Sequence, residues 1–235
     1  MYDESILPLK SRILYQNQVC IVVNKFKGEA VQGAKEGMGN LIKALKKFLG
    51  VNFVQAVHRI DVPVTGCSLI ALNKTVFTFL SDAFAGKKNL SVEKRYWAIV
   101  EKPPFILPEN GKLVHWIETN IKINKSFAYN DDSPGRKKAV LQYHITGEGQ
   151  NYLFMEIKLL SGRHHQIRAQ LAASGLHIKG DVKYGAKRSE KSGGIRLHAR
   201  YLSFPNPLNK SEIISVTADP PQMDNLWQQF AVFHK

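Results

Sequence analysis

The residues of this chain best suited to chemistry lie in a short polar turn. Within residues 58–66, Arg59 and Asp61 are two positions apart, and an apolar run begins directly afterwards at Cys67. Pro63 cannot donate a sheet hydrogen bond, so we expect a loop that leads into a buried strand. Such a loop can present a carboxylate and a guanidinium from a rigid scaffold, although an Arg–Asp pair can also simply close a turn at the surface.

The elements that position this turn are predicted from hydrophobic periodicity and capping residues. Many strands and few helices indicate an α+β fold built on a long mixed, mostly antiparallel β-sheet with flanking helices. Helices are predicted from an Asn40 cap to Leu49, from an Asn73 cap to about Ala85, and over 167–174 and 223–230. Strands are predicted at 13–15, 19–25, 67–72, 92–100, 113–123, 139–145, 151–160 and 213–216, and residues 197–207 are predicted as a strand that ends in a turn.

Composition narrows the possible functions. The 235 residues are 44% hydrophobic, which suffices for a core, and they contain no run of 18 apolar residues and no signal-peptide pattern. This composition predicts a cytoplasmic protein that does not span a membrane and whose two cysteines form no disulfide bond. The net charge of +14 favours a polyanionic partner such as nucleic acid. A membrane surface is the rival partner, but no long helix pairs a basic face with an aromatic apolar face.

Several motifs, in the same order along the chain, resemble the RluA-type family of RNA pseudouridine synthases. Residues 58–61 read H-R-I-D and Gly66 follows, where the family has H-R-L-D-x-x-T-S-G. Residues 94–100 resemble K-x-Y-x-A-x-V, and residues 162–171 resemble G-R-x-H-Q-I-R-x-H-L. Residues 175–185 resemble G-x-P-I-x-G-D-x-x-Y-G. The resemblance covers about residues 13–220 and implies a single catalytic domain over 1–235, with a bent sheet whose central cleft carries Asp61.

The resemblance implies isomerisation of uridine in RNA. That reaction breaks the N1–C1′ bond, turns the uracil and joins C5 to C1′, with neither a cofactor nor a metal. Asp61 is implied as the catalytic carboxylate, acting either as nucleophile or as base. Arg163 is implied as the cation that keeps it ionised, with Arg168 as a second candidate, and Tyr96 as the ring that stacks on the uracil.

The resemblance also implies residues that contact the substrate or RNA. The target nucleotide must leave its stack, and Arg59 is expected to occupy the vacated space. Further contacts are assigned to His58, Arg168, His165 and Ile178. Adjacent histidines at 164 and 165 suggest a metal, but no His or carboxylate completes a helical pair with them. A structural role for His165 at the strand-to-helix junction is favoured over a metal.

Some positions depart from the family pattern. Val64 stands where the family has Thr, and Gln170, His177 and Asn206 replace His, Pro and His. An alternative function is therefore a catalytically inactive relative that binds RNA during ribosome or RNA assembly. In either case the expected partner is structured RNA, ribosomal or transfer, and the expected state is a monomer. About a dozen residues precede the resemblance, so we expect no N-terminal S4-like domain.

Overall fold

The computed structural model describes residues 8–33 and 39–233, and its contacts divide the chain into two units. Unit 1 comprises the residues up to Lys94 together with His198–Gln222. Unit 2 comprises Arg95–Leu197 and the residues from Met223 onward. The expected organisation as one catalytic domain with a central cleft stays a prediction.

In chain order the strands and α-helices are β1 (Ile13–Gln16), β2 (Cys20–Lys25), α1 (Leu41–Leu49), β3 (Gln55–Ala56), β4 (Thr65–Ala71), α2 (Lys74–Phe84), β5 (Glu93–Glu101), β6 (Asn110–Asn120), β7 (Lys125–Tyr129), β8 (Lys137–Glu148), β9 (Tyr152–Leu159), α3 (Gln166–Ala173), β10 (Leu197–Pro205), β11 (Ile213–Thr217) and α4 (Asn225–Phe233). Short 3-10 helices lie at Leu9–Arg12 and Val182–Tyr184.

The sheet of unit 1 has the order β1-β2-β4-β10, with β11 beside β10 and β3 beside β4. Only the β4–β10 pair is parallel among these pairings. Alternate side chains of β2 enter different clusters. Val22 packs in the cluster that includes Leu80 of α2, and Val23 packs in the cluster that includes Leu45 of α1. The central strands are therefore buried on both faces, as their continuous apolar runs predict.

Both predicted caps of the unit 1 helices are confirmed. The Asn40 side chain accepts a hydrogen bond from the Lys43 amide, and α1 ends at Gly50 with a positive φ of 63°. The Asn73 side chain likewise accepts from the Val76 amide at the start of α2. Because these contacts span three residues, the local sequence was enough to predict them.

The sheet of unit 2 is antiparallel throughout, in the order β5-β9-β8-β6-β7. Helix α4 packs on one face, where the Phe230 ring stacks on Trp97 with centroids 4.4 Å apart. Helix α3 packs on the other face, where Gln170 Nε2 donates to the Ala139 carbonyl of β8 at 3.2 Å. One helix therefore covers part of each face of the sheet.

The hairpin after β6 differs from the prediction. The strand was expected to reach residue 123, but it ends at Asn120, and β7 follows without having been predicted. Ile121 and Ile123 instead lie in the turn, where they are 87% and 53% exposed. The Asn120 side chain accepts from the Ile123 amide, and Asn124 adopts a positive φ of 49°. The turn-forming asparagines outweigh the apolar alternation that suggested a longer strand.

Within the described residues, no helix has both the length and the apolar character needed to cross a membrane.

Candidate active site

Asp61 begins a tight turn whose backbone is bonded to the opening hairpin. The Val64 amide donates to the Asp61 carbonyl at 3.0 Å and closes the turn. The Val62 carbonyl accepts from the Gly28 amide at 2.9 Å and from Lys25 Nζ at 3.2 Å. The Asp61 side chain is partly exposed. The turn therefore holds its backbone against β2 while the carboxylate stays within reach of solvent.

Lys25 is a fully buried ammonium group beneath this turn. Its Nζ also donates to the carbonyls of Phe26 at 2.7 Å and Glu29 at 2.9 Å. Burial lowers the Lys25 pKa to about 7, whereas the negative charges of Glu29 and Asp61 oppose that shift. Sequence reasoning assigned Lys25 no role. The available signal was a lysine at the end of an otherwise apolar strand, V-V-N-K.

His58 fixes the entry of the turn to β4. Its Nε2 accepts a hydrogen bond from the Leu69 amide at 3.1 Å, and its ring stacks on Phe84 with centroids 4.7 Å apart. Burial and then the charge of Lys94 lower the His58 pKa to about 3. The imidazole is therefore neutral at physiological pH and acts as an acceptor. Arg59, next to it, is exposed.

The hydroxyl of Thr65 holds a second neutral histidine. Thr65 Oγ1 lies 2.7 Å from His198 Nδ1, and His198 Nε2 lies 2.9 Å from the Ala218 carbonyl. Because a carbonyl can only accept, Nε2 carries the proton and Nδ1 accepts from Thr65. Burial lowers the His198 pKa to about 4. The hydroxyl that remains in this divergent motif therefore ties β4 to β10.

Gly66 allows β4 and β10 to approach closely. It pairs with Ala199 in the parallel ladder and has a positive φ of 113°. A Cβ atom at Gly66 would overlap the Ala199 backbone, at 2.7 Å from its nitrogen. Only glycine fits this position, which explains the glycine directly after the Asp61 turn.

Tyr96 and Ile178 both lie along β5 in unit 2. Tyr96 is 7% exposed and pairs with Ile157 of β9. Ile178 is 2% exposed and forms a β-bridge with Val100, and the Lys179 amide donates to the Ile99 carbonyl at 2.9 Å. The loop that carries Ile178 is thus joined to the same strand as Tyr96.

The junction before α3 presents the Arg163 side chain at the surface. Gln166 Oε1 accepts from the Arg163 amide at 2.9 Å and from Ser161 Oγ at 2.8 Å. Gln166 Nε2 donates to the Val140 carbonyl at 3.1 Å. The Nε atom of Arg163 donates to the Lys138 carbonyl at 3.1 Å, and this contact orients the guanidinium. One glutamine side chain therefore organises the junction from which Arg163 projects.

His165 occupies the N-cap of α3 with a left-handed backbone, φ 52°. Its Nδ1 lies 2.9 Å from the Tyr184 hydroxyl, which in turn donates to the Ser126 carbonyl at 3.1 Å. Burial, followed by the charge of Arg168, lowers the His165 pKa to about 3. This geometry supports the structural role predicted for His165. In the described part of the chain, no three His, Cys, Asp or Glu residues are grouped to hold a metal ion.

Arg168 forms a buried ion pair with Asp181. Its Nε and one terminal nitrogen donate to the two carboxylate oxygens at 2.6 and 2.7 Å. The side chains of Arg168 and Asp181 are 5% and 2% exposed, and the Arg168 guanidinium also lies over the Tyr184 ring at 4.7 Å. This geometry favours a structural role for Arg168 over the predicted RNA contact. In the sequence, Asp181 and Tyr184 stand out only as positions of the motif at residues 175–185, which assigned them no role.

The substitutions that mark this chain as divergent have local partners. His177 Nδ1 lies 2.8 Å from the Tyr184 carbonyl, so it can donate where a proline could not. Gln170 Nε2 contacts the carbonyls of Leu113 and Ala139 and the ring of His115, each at 3.2 Å. The substituted side chains at positions 170 and 177 therefore form hydrogen bonds within unit 2.

The predicted site residues are divided between the two units. His58, Arg59 and Asp61 belong to unit 1, and the remaining five belong to unit 2: Tyr96, Arg163, His165, Arg168 and Ile178. Within unit 1, His58 and Asp61 are three positions apart on the segment that leads into β4. That Asp61, Tyr96 and Arg163 meet in one cleft stays a prediction.

Known proteins similar to this chain are RNA pseudouridine synthases. The family model described as RNA pseudouridylate synthase matches residues 19–173. A Rickettsia typhi protein named ribosomal large subunit pseudouridine synthase C is 34% identical over 212 residues, which cover 87% of this chain and 67% of that protein. A Vibrio parahaemolyticus protein named tRNA pseudouridine synthase C is 28% identical over 244 residues, covering 94% of each.

A solved structure shows the same fold. The structure of human RNA pseudouridylate synthase domain containing 4 superposes with a TM-score of 0.74 at 23% identity. The match covers 96% of this chain and 93% of the human chain. The α+β class expected from the sequence is thereby confirmed.

Proposed function

Because this chain belongs to the RNA pseudouridine synthase family, whose members are isomerases, we propose that it converts uridines of structured ribosomal or transfer RNA to pseudouridine with Asp61 as the catalytic carboxylate. The names of the two bacterial relatives support both RNA classes as candidates. The high positive charge of the chain, +14, suits either polyanion. We also expect the protein to act as a cytoplasmic monomer.

The observation that carries the proposal is the way the Asp61 turn is held. Lys25 and Gly28 fix the Val62 carbonyl, and His58 fixes the chain just before the turn, so the position of Asp61 is set by backbone contacts. The negative charge of Asp61 also acts on the buried Lys25 amine and raises the Lys25 pKa against the effect of burial, so the two side chains are close enough to interact electrostatically. A partly exposed and positioned carboxylate is the group that attack on the sugar or removal of its proton requires.

Other residues have proposed roles around the target nucleotide. The base must leave its stack, which costs a few kcal/mol, and the exposed Arg59 can occupy the vacated position. We assign Tyr96 to stack on the uracil, beside the apolar Ile178. Arg163 is assigned as a cation facing the reaction, because the contact of its Nε with Lys138 directs the guanidinium outward from the junction.

Release of tritium from RNA labelled at uracil C5 tests this proposal, because C5 loses its hydrogen when it bonds to C1′. The substrate is RNA from cells that lack the gene, so that the target uridines are unmodified. We expect release by the wild type, and none above background by Asp61→Asn with RNA affinity retained. Asp132→Asn, at an exposed aspartate in the loop between β7 and β8, is the matched control and should keep full activity.

Two results would contradict the proposal. Equal tritium release by Asp61→Asn and the wild type would exclude Asp61 as the catalytic carboxylate. RNA binding without release by the wild type would favour the inactive RNA-binding relative. Mapping pseudouridines in RNA from cells with and without the gene then identifies the modified molecule.

A further inference from the structure

The face of the unit 2 sheet that carries α4 is only partly covered by that helix. Trp97 and Phe154 pack against Phe230 of α4. Farther along the strands, the side chains on this face lie at the surface, and we call this region the open face. Its defining residues are Lys112, Val114 and Trp116 of β6, Lys138 of β8 and Lys158 of β9. Tyr96 points to the opposite side of the sheet, because neighbouring side chains of β5 alternate.

The strand register arranges cations of the open face in rows. Lys112 is opposite Gln142, which is opposite Lys158, which is opposite Arg95. Lys112, Gln142 and Lys158 of this row line a shallow depression of about 530 Å³. Glu156 also lines the depression, and its carboxylate pairs with Arg95 at 3.3 Å. The charges of this row therefore remain positive in sum.

A second row carries an aromatic ring. Trp116 is opposite Lys138 on β8 and opposite Tyr129 on β7. Lys138 Nζ lies 5.9 Å from the centre of the Trp116 ring, and the ring is partly exposed. Between the two rows lies the Val114–Val140 pair, in which Val114 is 37% exposed. The two rows lie four positions apart along β6, a distance of about 13 Å.

We propose that the open face binds a single-stranded segment of RNA outside the reacting nucleotide. The lysines contact phosphates and Trp116 stacks on a base. Cations neutralise phosphates with release of counterions, and aromatic side chains on a sheet are suitable platforms for unpaired bases. Lysine is depleted in the cores of protein–protein interfaces, so this composition argues against a protein partner. The inference rests on the proposed RNA substrate and adds a second contact surface for it.

Tryptophan fluorescence tests the stacking contact directly. The chain has three tryptophans, and Trp97 and Trp227 are 2% and 5% exposed, whereas Trp116 is partly exposed. With poly(U) as the probe, we expect quenching of the wild-type emission and little quenching of Trp116→Phe. Trp227→Phe is the matched control and should be quenched like the wild type. Equal quenching of wild type and Trp116→Phe would overturn the stacking contact.

Salt-dependent binding tests the phosphate contacts. The variant Lys112→Gln/Lys138→Gln/Lys158→Gln should bind poly(U) on the order of 100-fold more weakly at 0.1 M salt, with the slope of log K against log salt reduced by about 2. The control Lys46→Gln/Lys47→Gln/Lys74→Gln removes the same charge from exposed lysines of unit 1. Equal weakening of the two variants would overturn the proposal, because net charge alone would then explain the binding.

A tritium-release assay of the wild type, run in parallel, separates the two proposals. If the wild type releases tritium and the two triple variants bind RNA equally well, the proposed reaction stands and the RNA contact at the open face is rejected. Selective weakening of the open-face variant without release by the wild type supports the RNA contact and rejects the proposed reaction.

Discussion

The turn around Asp61 and the junction around Arg163 are held by different kinds of contact. Two ionisable side chains, the buried Lys25 and the partly buried His58, hold the turn through backbone carbonyl and amide groups. A neutral amide, Gln166, holds the junction through two acceptor bonds and one donor bond. The buried ion pair of Arg168 with Asp181 lies two residues after Gln166 in α3.

This difference has an energetic consequence. A buried ammonium or imidazole adjusts its pKa to its surroundings, so the geometry around Asp61 depends on protonation. Amide contacts such as those of Gln166 do not titrate. The carboxylate turn should therefore respond to pH and to changes in buried charge, whereas the Gln166 contacts of the junction should respond mainly to loss of packing. The neighbouring His165 is the titrating group of the junction.

The largest effect is expected where the turn enters β4. Gly66→Ala should destabilise the protein by about 4 kcal/mol or prevent folding, because the new Cβ would overlap the Ala199 backbone at a positive φ. Gly28→Ala, at φ 77° with no atom near the new Cβ, should cost only about 1 kcal/mol. Urea unfolding followed by circular dichroism measures both, and similar costs would mean that the close approach of β4 and β10 is unimportant.

A comparable loss is expected from the ion pair behind the junction. Arg168→Met should destabilise by about 4 kcal/mol, because it leaves the Asp181 carboxylate buried without its guanidinium. The double variant Arg168→Met/Asp181→Leu should recover most of that loss. RNA affinity of the stable double variant separates the roles: normal affinity indicates a structural pair, and weak affinity would restore the RNA contact that the family resemblance implied.

A smaller effect is expected for the ammonium beneath the turn. Lys25→Met should destabilise by about 3 kcal/mol, because three carbonyls lose their donor, while the removal of a buried charge offsets part of the loss. It should also reduce turnover, since the Val62 carbonyl loses one of its two donors and keeps only the Gly28 amide. Lys43→Met, at an exposed position of α1, is the control for thermal unfolding and tritium release. Full turnover by Lys25→Met would show that the turn is held without it.

The last effect is a loss of stability at low pH to which His58 and His165 also contribute, and the group tested is His198. Its pKa is about 4 in the folded protein, below the unfolded value of about 6.5, so its contribution is complete above pH 6.5 and is lost as the pH falls towards 4. The total is on the order of 3 kcal/mol. His198→Gln should flatten the curve of unfolding free energy against pH in this range. An unchanged slope would place the acid sensitivity elsewhere.

Much of the fold could be predicted because its signals are local. The caps at Asn40 and Asn73 act over three residues, and the strands of unit 1 show as continuous apolar runs. The turn between β6 and β7 was missed because Ile121 and Ile123 continue the alternation of the strand. Two asparagines decide the turn, and their effect depends on backbone conformations that the apolar pattern does not reveal.

The family resemblance named candidate residues for the site but did not reveal how they are held. It pointed to Asp61, Tyr96 and Arg163, which stay predictions, and it could not show that Lys25 lies beneath the turn or that Arg168 is paired with Asp181. Burial and pairing of a charge depend on which distant segments pack around it. The exposure of the open face was equally invisible, because the alternation of β6 and β8 does not reveal which face a helix covers.

The sequence by itself determined the order of the elements, the motifs of the family and the excess of positive charge, because each is written in neighbouring or regularly spaced residues. Only the tertiary structure decided how those residues are held. Lys25 reaches the Val62 carbonyl across 37 positions, and Thr65 reaches His198 across 133. Such contacts form when folding excludes water from two distant segments and each polar group must find its partner there.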